Sequence, residues 1–251
     1  MARPSVGVQL IIFGERAQRD LSAVVAEVAE AGYAGIEADA PATPERLEQI
    51  RSALQGTDLL YAGGHSGIQQ LADVAAVESL ANSVASLGGR FVLVSGRFNT
   101  LDEYRAGAET LNRAGARCQE AGVRLCYHNH AWEFSQTDGR RPIDLLIAET
   151  DPDMVGFCPD VYWVHVGGDD PADFISRHRD RCPYFHFKDG LGGDQMREFR
   201  ELGRGCMDLK AALDAALSVR PEWIVVEQDS TRGDPAVSSR ISREYLKSLG
   251  V

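Results

Sequence analysis

Short apolar runs alternate with longer amphipathic segments from one end of this 251-residue chain to the other. A strand-length run followed by a helix-length segment, repeated, predicts βα units and a parallel sheet. Strands are expected near 5–12, 34–38, 58–64, 90–96, 123–129, 154–159, 183–188 and 222–228. Helices are expected near 17–32, 43–56, 69–88, 101–121, 141–150, 170–181, 207–219 and 234–249. Eight of each predicts an α/β fold, a single (β/α)8 TIM barrel, and the length is about that of one such barrel. No linker, low-complexity stretch or longer repeat interrupts the pattern, so residues 1–251 read as one domain.

Local signals agree with this division. Leu21, Val24, Val25, Val28 and Ala29 recur at helical spacing, and Gly32 ends the run. Thr43-Pro44-Glu45 offers an N-cap followed by proline at the first helical position, and Asp170-Pro171 does the same. Residues 6–13 are apolar but lack a basic flank and a cleavage site, so they read as a first strand and not as a leader. No apolar run approaches the roughly 18 residues of a membrane span, and no membrane partner is expected. The five cysteines are odd in number and form no CxxC pair. That pattern predicts free thiols and a reducing, cytoplasmic setting. A net charge of −11 argues against nucleic acid as a partner, because phosphate backbones need Lys and Arg.

Chemistry-bearing residues gather where four expected strands end. Tyr127-His128-Asn129-His130-Ala131-Trp132-Glu133 follows the fifth strand, and Asp160 follows the sixth. His186 and Lys188 close the seventh, and Glu227 and Asp229 the eighth. Active sites of such barrels lie at the C-terminal ends of the strands. Three carboxylates and one imidazole suit one divalent cation: Mn²⁺ first, then Mg²⁺, Co²⁺ or Zn²⁺. The expected ligands are Glu133, Asp160, His186 and Glu227. His128 and His130 compete with Glu133, because a strand continuing through position 130 would put a histidine in the ligand place. The other histidine would then be a general acid or base. Lys188 shares its strand face with His186, and it is one of only three lysines in an arginine-rich chain. It is expected either at the substrate or in an ion pair with Asp189. His65, Trp132, Tyr162 and Trp163 are expected to line the substrate site. No P-loop or GxGxxG segment opens a helix.

At these residues the chain resembles the xylose-isomerase-like TIM-barrel superfamily, often labelled sugar phosphate isomerase/epimerase. The resemblance rests on Tyr127-His128-Asn129-His130 with Glu133-Phe134, Asp160-Val161-Tyr162-Trp163, His186-Phe187-Lys188-Asp189, Leu202-Gly203-Arg204-Gly205 with Asp208, and Val226-Glu227. It implies a divalent metal on Glu133, Asp160, His186 and Glu227, and chemistry next to a carbonyl. The implied activity is isomerisation or epimerisation of a keto-sugar or keto-polyol through an enediolate, with His128, His130, Lys188 and Glu227 as catalytic residues. Homo-oligomers occur in the superfamily, and the resemblance extends that expectation to this chain. Typical epimerases of the superfamily have a glutamate where His128 stands, and many have a histidine where Trp163 stands. These departures point towards the branch of inosose dehydratases and 3-keto-glycoside lyases. Two further readings are an endonuclease of abasic DNA, which the charge opposes, and a non-catalytic sugar-binding barrel.

Overall fold

A computed structural model describes residues 3–251. In chain order its strands are β1 (Ser5–Gln9), β2 (Gly35–Asp39), β3 (Leu60–Gly67), β4 (Phe91–Ser95), β5 (Arg124–His128), β6 (Val155–Cys158), β7 (Tyr184–Phe187), β8 (Asp189–Gly190), β9 (Phe199–Arg200) and β10 (Trp223–Val226). Eight of them form one parallel sheet in the order β6-β5-β4-β3-β2-β1-β10-β7. The remaining pair, β8 and β9, is a small antiparallel ribbon. The two edges of the large sheet meet just beyond β6, where Asp160 bridges to His186 in parallel register. His186 N donates to Pro159 O at 3.0 Å across this junction. The barrel therefore closes at two of the residues expected to bind a metal. Among the described residues no helix is long and apolar enough to cross a membrane.

Side-chain alternation divides the apolar residues into two layers. Residues facing outward pack under the helices in one large core. Those facing inward form a separate cluster of Ala62, Phe91, Leu93, Cys126, Cys158, Tyr184, Trp223 and Val225. This cluster fills the barrel and forms the floor beneath the site. Gly35 leaves room for it: a Cβ there would lie 2.7 Å from the Trp223 ring and 2.5 Å from Leu60 O. Each large side chain removed from water contributes about 1.5–3 kcal/mol, so this buried apolar floor stabilises the barrel.

Several boundaries differ from the sequence reading, each for a local reason. β1 stops at Gln9, whose side chain accepts from Ile11 N and opens a 3-10 turn over Leu10–Phe13. The first expected helix is broken at Asp20, which accepts from Ala23 N and caps a new helix at Leu21–Ala31. Asp73 likewise starts Val74–Ser86 after a 3-10 turn at Ile68–Leu71. The helix expected over 170–181 ends at Arg177. A helix at Val161–Val166 was not expected. Its residues are almost all apolar and carry no amphipathic period, so periodicity gave no signal.

Candidate metal centre at the barrel mouth

Four inward-facing residues converge above the floor. His128 ends β5, Asp160 follows β6, His186 lies in β7 and Glu227 follows β10. One ligand-type atom from each lies within 4.8 Å of the other three, and all four residues are buried. His128 Nε2, Asp160 Oδ2, His186 Nδ1 and Glu227 Oε2 are buried and none makes a well-directed hydrogen bond, although Asp160 Oδ2 has Lys188 Nζ within ion-pair distance. His128 Nε2 lies 3.5 Å from Asp160 Oδ2 and 3.8 Å from Glu227 Oε2, and His186 Nδ1 faces Glu227 Oε2. Unpartnered buried polar atoms are costly. Four aimed at one point, two nitrogens and two oxygens, fit a divalent cation. Burial holds the His128 imidazole well below its ordinary pKa. It is therefore neutral, the form in which imidazole binds a metal.

A second layer fixes these groups. Glu37 in β2 is fully buried and accepts from His186 Nε2 at 2.7 Å and from the Tyr184 hydroxyl at 2.8 Å. His65 Nδ1 lies 3.2 Å from its other oxygen. Burial alone would raise the Glu37 pKa, but His186 and His65 outweigh it and hold the carboxyl at about 2. A carboxylate bonded to Nε2 turns Nδ1 of His186 towards the four-residue group, the orientation a ligating histidine needs. The pairing of β2 with β3 shifts register between Ile36 and Glu37, and such irregularities re-aim side chains. Sequence reading missed Glu37. The available signal was a lone carboxylate inside the apolar strand Gly35-Ile36-Glu37-Ala38.

Lys188 lies on the inward face beside His186 and is fully buried. Its Nζ donates to Glu227 Oε1 at 2.7 Å and to Asp229 Oδ1 at 3.2 Å, and lies 3.1 Å from Asp160 Oδ2. Burial would lower the ammonium pKa, but Asp160, Glu227 and Asp229 outweigh it and raise it, so Lys188 stays charged. Asp189 is not its partner. That carboxylate accepts instead from the backbone N–H groups of Gly190, Gly203, Gly205 and Met207. Asp229 is partly exposed, and burial raises its carboxyl to about 6 against the opposing effect of Lys188.

The other expected site residues divide. Glu133 lies outside the four-residue group. The Tyr127 hydroxyl donates to its Oε1 and His130 N to its Oε2, each at 2.8 Å. The chain leaves the strand after His128 and turns through Trp132–Phe134, which swings this carboxylate back under its own loop. His128 occupies the place in the group instead. His130 stacks on Trp132 with ring centroids 4.0 Å apart and stands 4.9 Å from His128. Burial holds it at about 2, so it is neutral. Its Nδ1 has no partner. Trp163 forms a wall beneath Lys188 Nζ, 5.1 Å from the ring centroid. Tyr162 does not face the group: it is fully buried, its hydroxyl donates to Met196 O, and Gly192 N donates to that hydroxyl. It anchors the loop after β7. His65 faces the mouth, its ring 5.2 Å from that of His128.

Comparison with known proteins identifies the family and the fold. The model of the xylose isomerase-like TIM barrel family matches residues 25–249. An inosose dehydratase of Lacticaseibacillus casei is 30% identical over 223 residues, covering 81% of this chain and 72% of that protein. A sugar phosphate isomerase/epimerase from Parabacteroides distasonis ATCC 8503 has a TM-score of 0.84 at 21% identity, over 100% of this chain and 96% of that one. The IOLI protein, solved with a binding zinc atom, has a TM-score of 0.78 at 13% identity, over 98% and 97%. At those identities the two structures speak to the fold.

Proposed function

The chain belongs to the xylose isomerase-like TIM barrel family, and we propose that it is a divalent-metal-dependent enzyme that removes a proton beside the carbonyl of a keto-sugar or keto-polyol. The convergence of the unpartnered atoms of His128, Asp160, His186 and Glu227 carries this reading. These four residues would hold the cation, with Mn²⁺ the first expectation. When bound, it supplies Lewis-acid stabilisation of negative charge developing on the substrate carbonyl oxygen. Glu133, bonded to Tyr127 and His130, holds the loop that carries His130.

The remaining residues have distinct tasks. Lys188 stays protonated and presents its ammonium to the developing enolate oxygen, a preorganised charge in a dry site. Asp229 is the carboxylate beside Lys188 with a partly exposed face, where Asp160 and Glu227 are closed in, so it takes the proton. His130 Nδ1, buried and unpartnered, is left to bond a substrate hydroxyl, with Trp132 and Trp163 walling the ring. Returning the proton gives isomerisation or epimerisation. Expelling a hydroxyl or glycosyl group from the next carbon gives dehydration or lysis. Histidine in place of glutamate at the end of β5 and the name of the Lacticaseibacillus casei relative favour the second outcome. No basic surface is needed for such a substrate, which fits the −11 charge.

The test is metal titration followed by incubation with keto-sugars and keto-inositols in D₂O. Deuterium should enter beside the carbonyl only with metal present, and Asp229→Asn should lose exchange by at least about tenfold. Metal binding without exchange on any keto-substrate would sink the proposal.

A further inference from the structure

We propose that the end of the barrel where the strands begin, opposite the metal centre, binds a small oxyanion: a phosphate or carboxylate group held by Arg124 beside Arg181.

Arg124 opens β5 and shares its inward face with Cys126 and His128. One strand therefore sends a histidine to the upper rim and an arginine into the lower end, with the apolar floor between them. Gly156 leaves room for that arginine: a Cβ there would lie 3.0 Å from Arg124 Nε and 2.8 Å from Cys126 Sγ. The guanidinium lines a hollow of about 600 Å³, within the range of small-molecule sites. Its Nε is buried without a hydrogen-bond partner, and among the described residues no carboxylate lies within ion-pair distance of the group. Holding a guanidinium half-buried and unpaired is costly. A bound oxyanion offsets that cost, because the planar fork matches two oxygens at once.

Arg181 borders the same hollow and is also half-buried. Its Nε and both Nη atoms donate to Val155 O, Ile147 O, Thr150 O and Thr150 Oγ1. These bonds use its N–H groups but leave its charge without a carboxylate. Burial first, and then the charge of Arg124, hold the Arg181 pKa below its ordinary value. Arg181 thus supplies positive potential, and Arg124 supplies free donors as well.

Three carboxylates line the hollow too. Glu222 is paired with Arg90 at 3.0 Å. Asp153 and Asp180 are exposed at the rim, where water screens them. Unpaired cations therefore lie deep and unpaired anions lie at the entrance. That order admits a compact anion with one charged group and opposes a long polyanion, which would have to pass the rim carboxylates.

The experiment is calorimetric titration of the metal-loaded protein with phosphate, sulfate, acetate and ATP, at constant ionic strength set with chloride. One equivalent of phosphate, sulfate or acetate should bind with a Kd below about 1 mM. Arg124→Met should weaken that binding at least about tenfold. Arg124→Lys should do so as well, because lysine keeps the charge and loses the fork. Thermal melts in chloride alone provide a second readout. There Arg124→Met should melt no lower than wild type, since it removes an unpaired half-buried charge, and added phosphate or acetate should raise Tm in wild type only. A preference for phosphate or for acetate upholds the site and names the group it holds. Binding of none of the four anions would overturn the inference, and so would equal affinity in wild type and both variants, the result expected of an anion on the metal. Full affinity in Arg124→Lys would reduce the effect to general charge attraction and overturn the built site. ATP bound more tightly than phosphate would overturn the assignment to a small anion. An Arg124→Met variant that melts well below wild type in chloride and gains as much from phosphate would show a structural arginine instead.

Discussion

Glu37 touches no substrate-facing atom, yet it sets how His186 is presented. It accepts from His186, Tyr184 and His65 at once. Glu37→Gln keeps the shape and turns an amide N–H towards groups that are themselves donors. Metal affinity should fall about 10- to 100-fold, as for other partners of ligating histidines. Calorimetric titration with Mn²⁺ and Zn²⁺ checks this, and unchanged affinity for both would remove Glu37 from the site. Lys188 gives a complementary test. It is the buried cation among Asp160, Glu227 and Asp229. Lys188→Met keeps most of the stem but leaves three buried or half-buried carboxylates facing one another. Removing one partner of a buried ion pair costs about 3–5 kcal/mol, so the metal-free variant should melt well below wild type. Saturating metal should restore more stability to the variant than it adds to wild type, because the cation supplies the missing charge. Equal metal-induced shifts in Tm would show that Lys188 and the metal do not share those carboxylates.

Between β8 and the helix Leu209–Val219, the loop depends on one side chain. Asp189 receives four backbone N–H groups, and a Cβ at Gly205 would overlap its Oδ1 and Gly190 O. The resemblance to a family through Leu202-Gly203-Arg204-Gly205 thus has a mechanical reason in this chain. Asp189→Asn replaces an acceptor by a donor opposite two of those N–H groups. Hydrogen exchange of residues 203–207 should quicken while the barrel strands stay protected. Exchange unchanged in that segment would mean the loop is held elsewhere. Two helices are joined in a similar way. Asp169 accepts from Arg141 and Arg177, tying Pro142–Glu149 to Pro171–Arg177. Burial pushes its carboxyl up, but the two guanidinium groups outweigh this and hold it below the ordinary value. A depressed carboxyl stabilises the fold fully above the unfolded pKa, near 3.9. That contribution fades as pH falls through the lower folded value. Urea unfolding should therefore separate Asp169→Asn from wild type at about pH 7, with the gap closing towards about pH 2. A gap independent of pH would point to lost packing instead.

For the molecule as a whole, the site is where the barrel closes. The junction that closes the barrel beyond β6 and at β7 includes the bridge of Asp160 to His186, so filling the centre should stabilise the entire fold. Ligand at 100 times its Kd contributes about 2.7 kcal/mol by mass action, and chelation should remove it in a thermal melt. The periodicity of 251 residues was sufficient for the barrel, because eight apolar runs of strand length separated by helix-length segments have few other ways to bury themselves. Asp160, His186, Lys188 and Glu227 were legible for the same reason: strand ends face one rim, and alternation assigns a side. Glu133 and His128 were not separable from sequence. A turn of one 3-10 helix decides which of them reaches the centre, and both appear within a single polar stretch. Tyr162 looked like a wall of the mouth until a short helix after Asp160 turned its hydroxyl towards the loop at Met196. Glu37 lay far away along the chain, and only the curl of the sheet through β1 and β10 brings β2 across from β7. Local periodicity determined which elements form and which residues point inward. The tertiary structure decided which inward groups meet, because that depends on where the barrel closes and on the turns between elements, and neither leaves a period in the sequence.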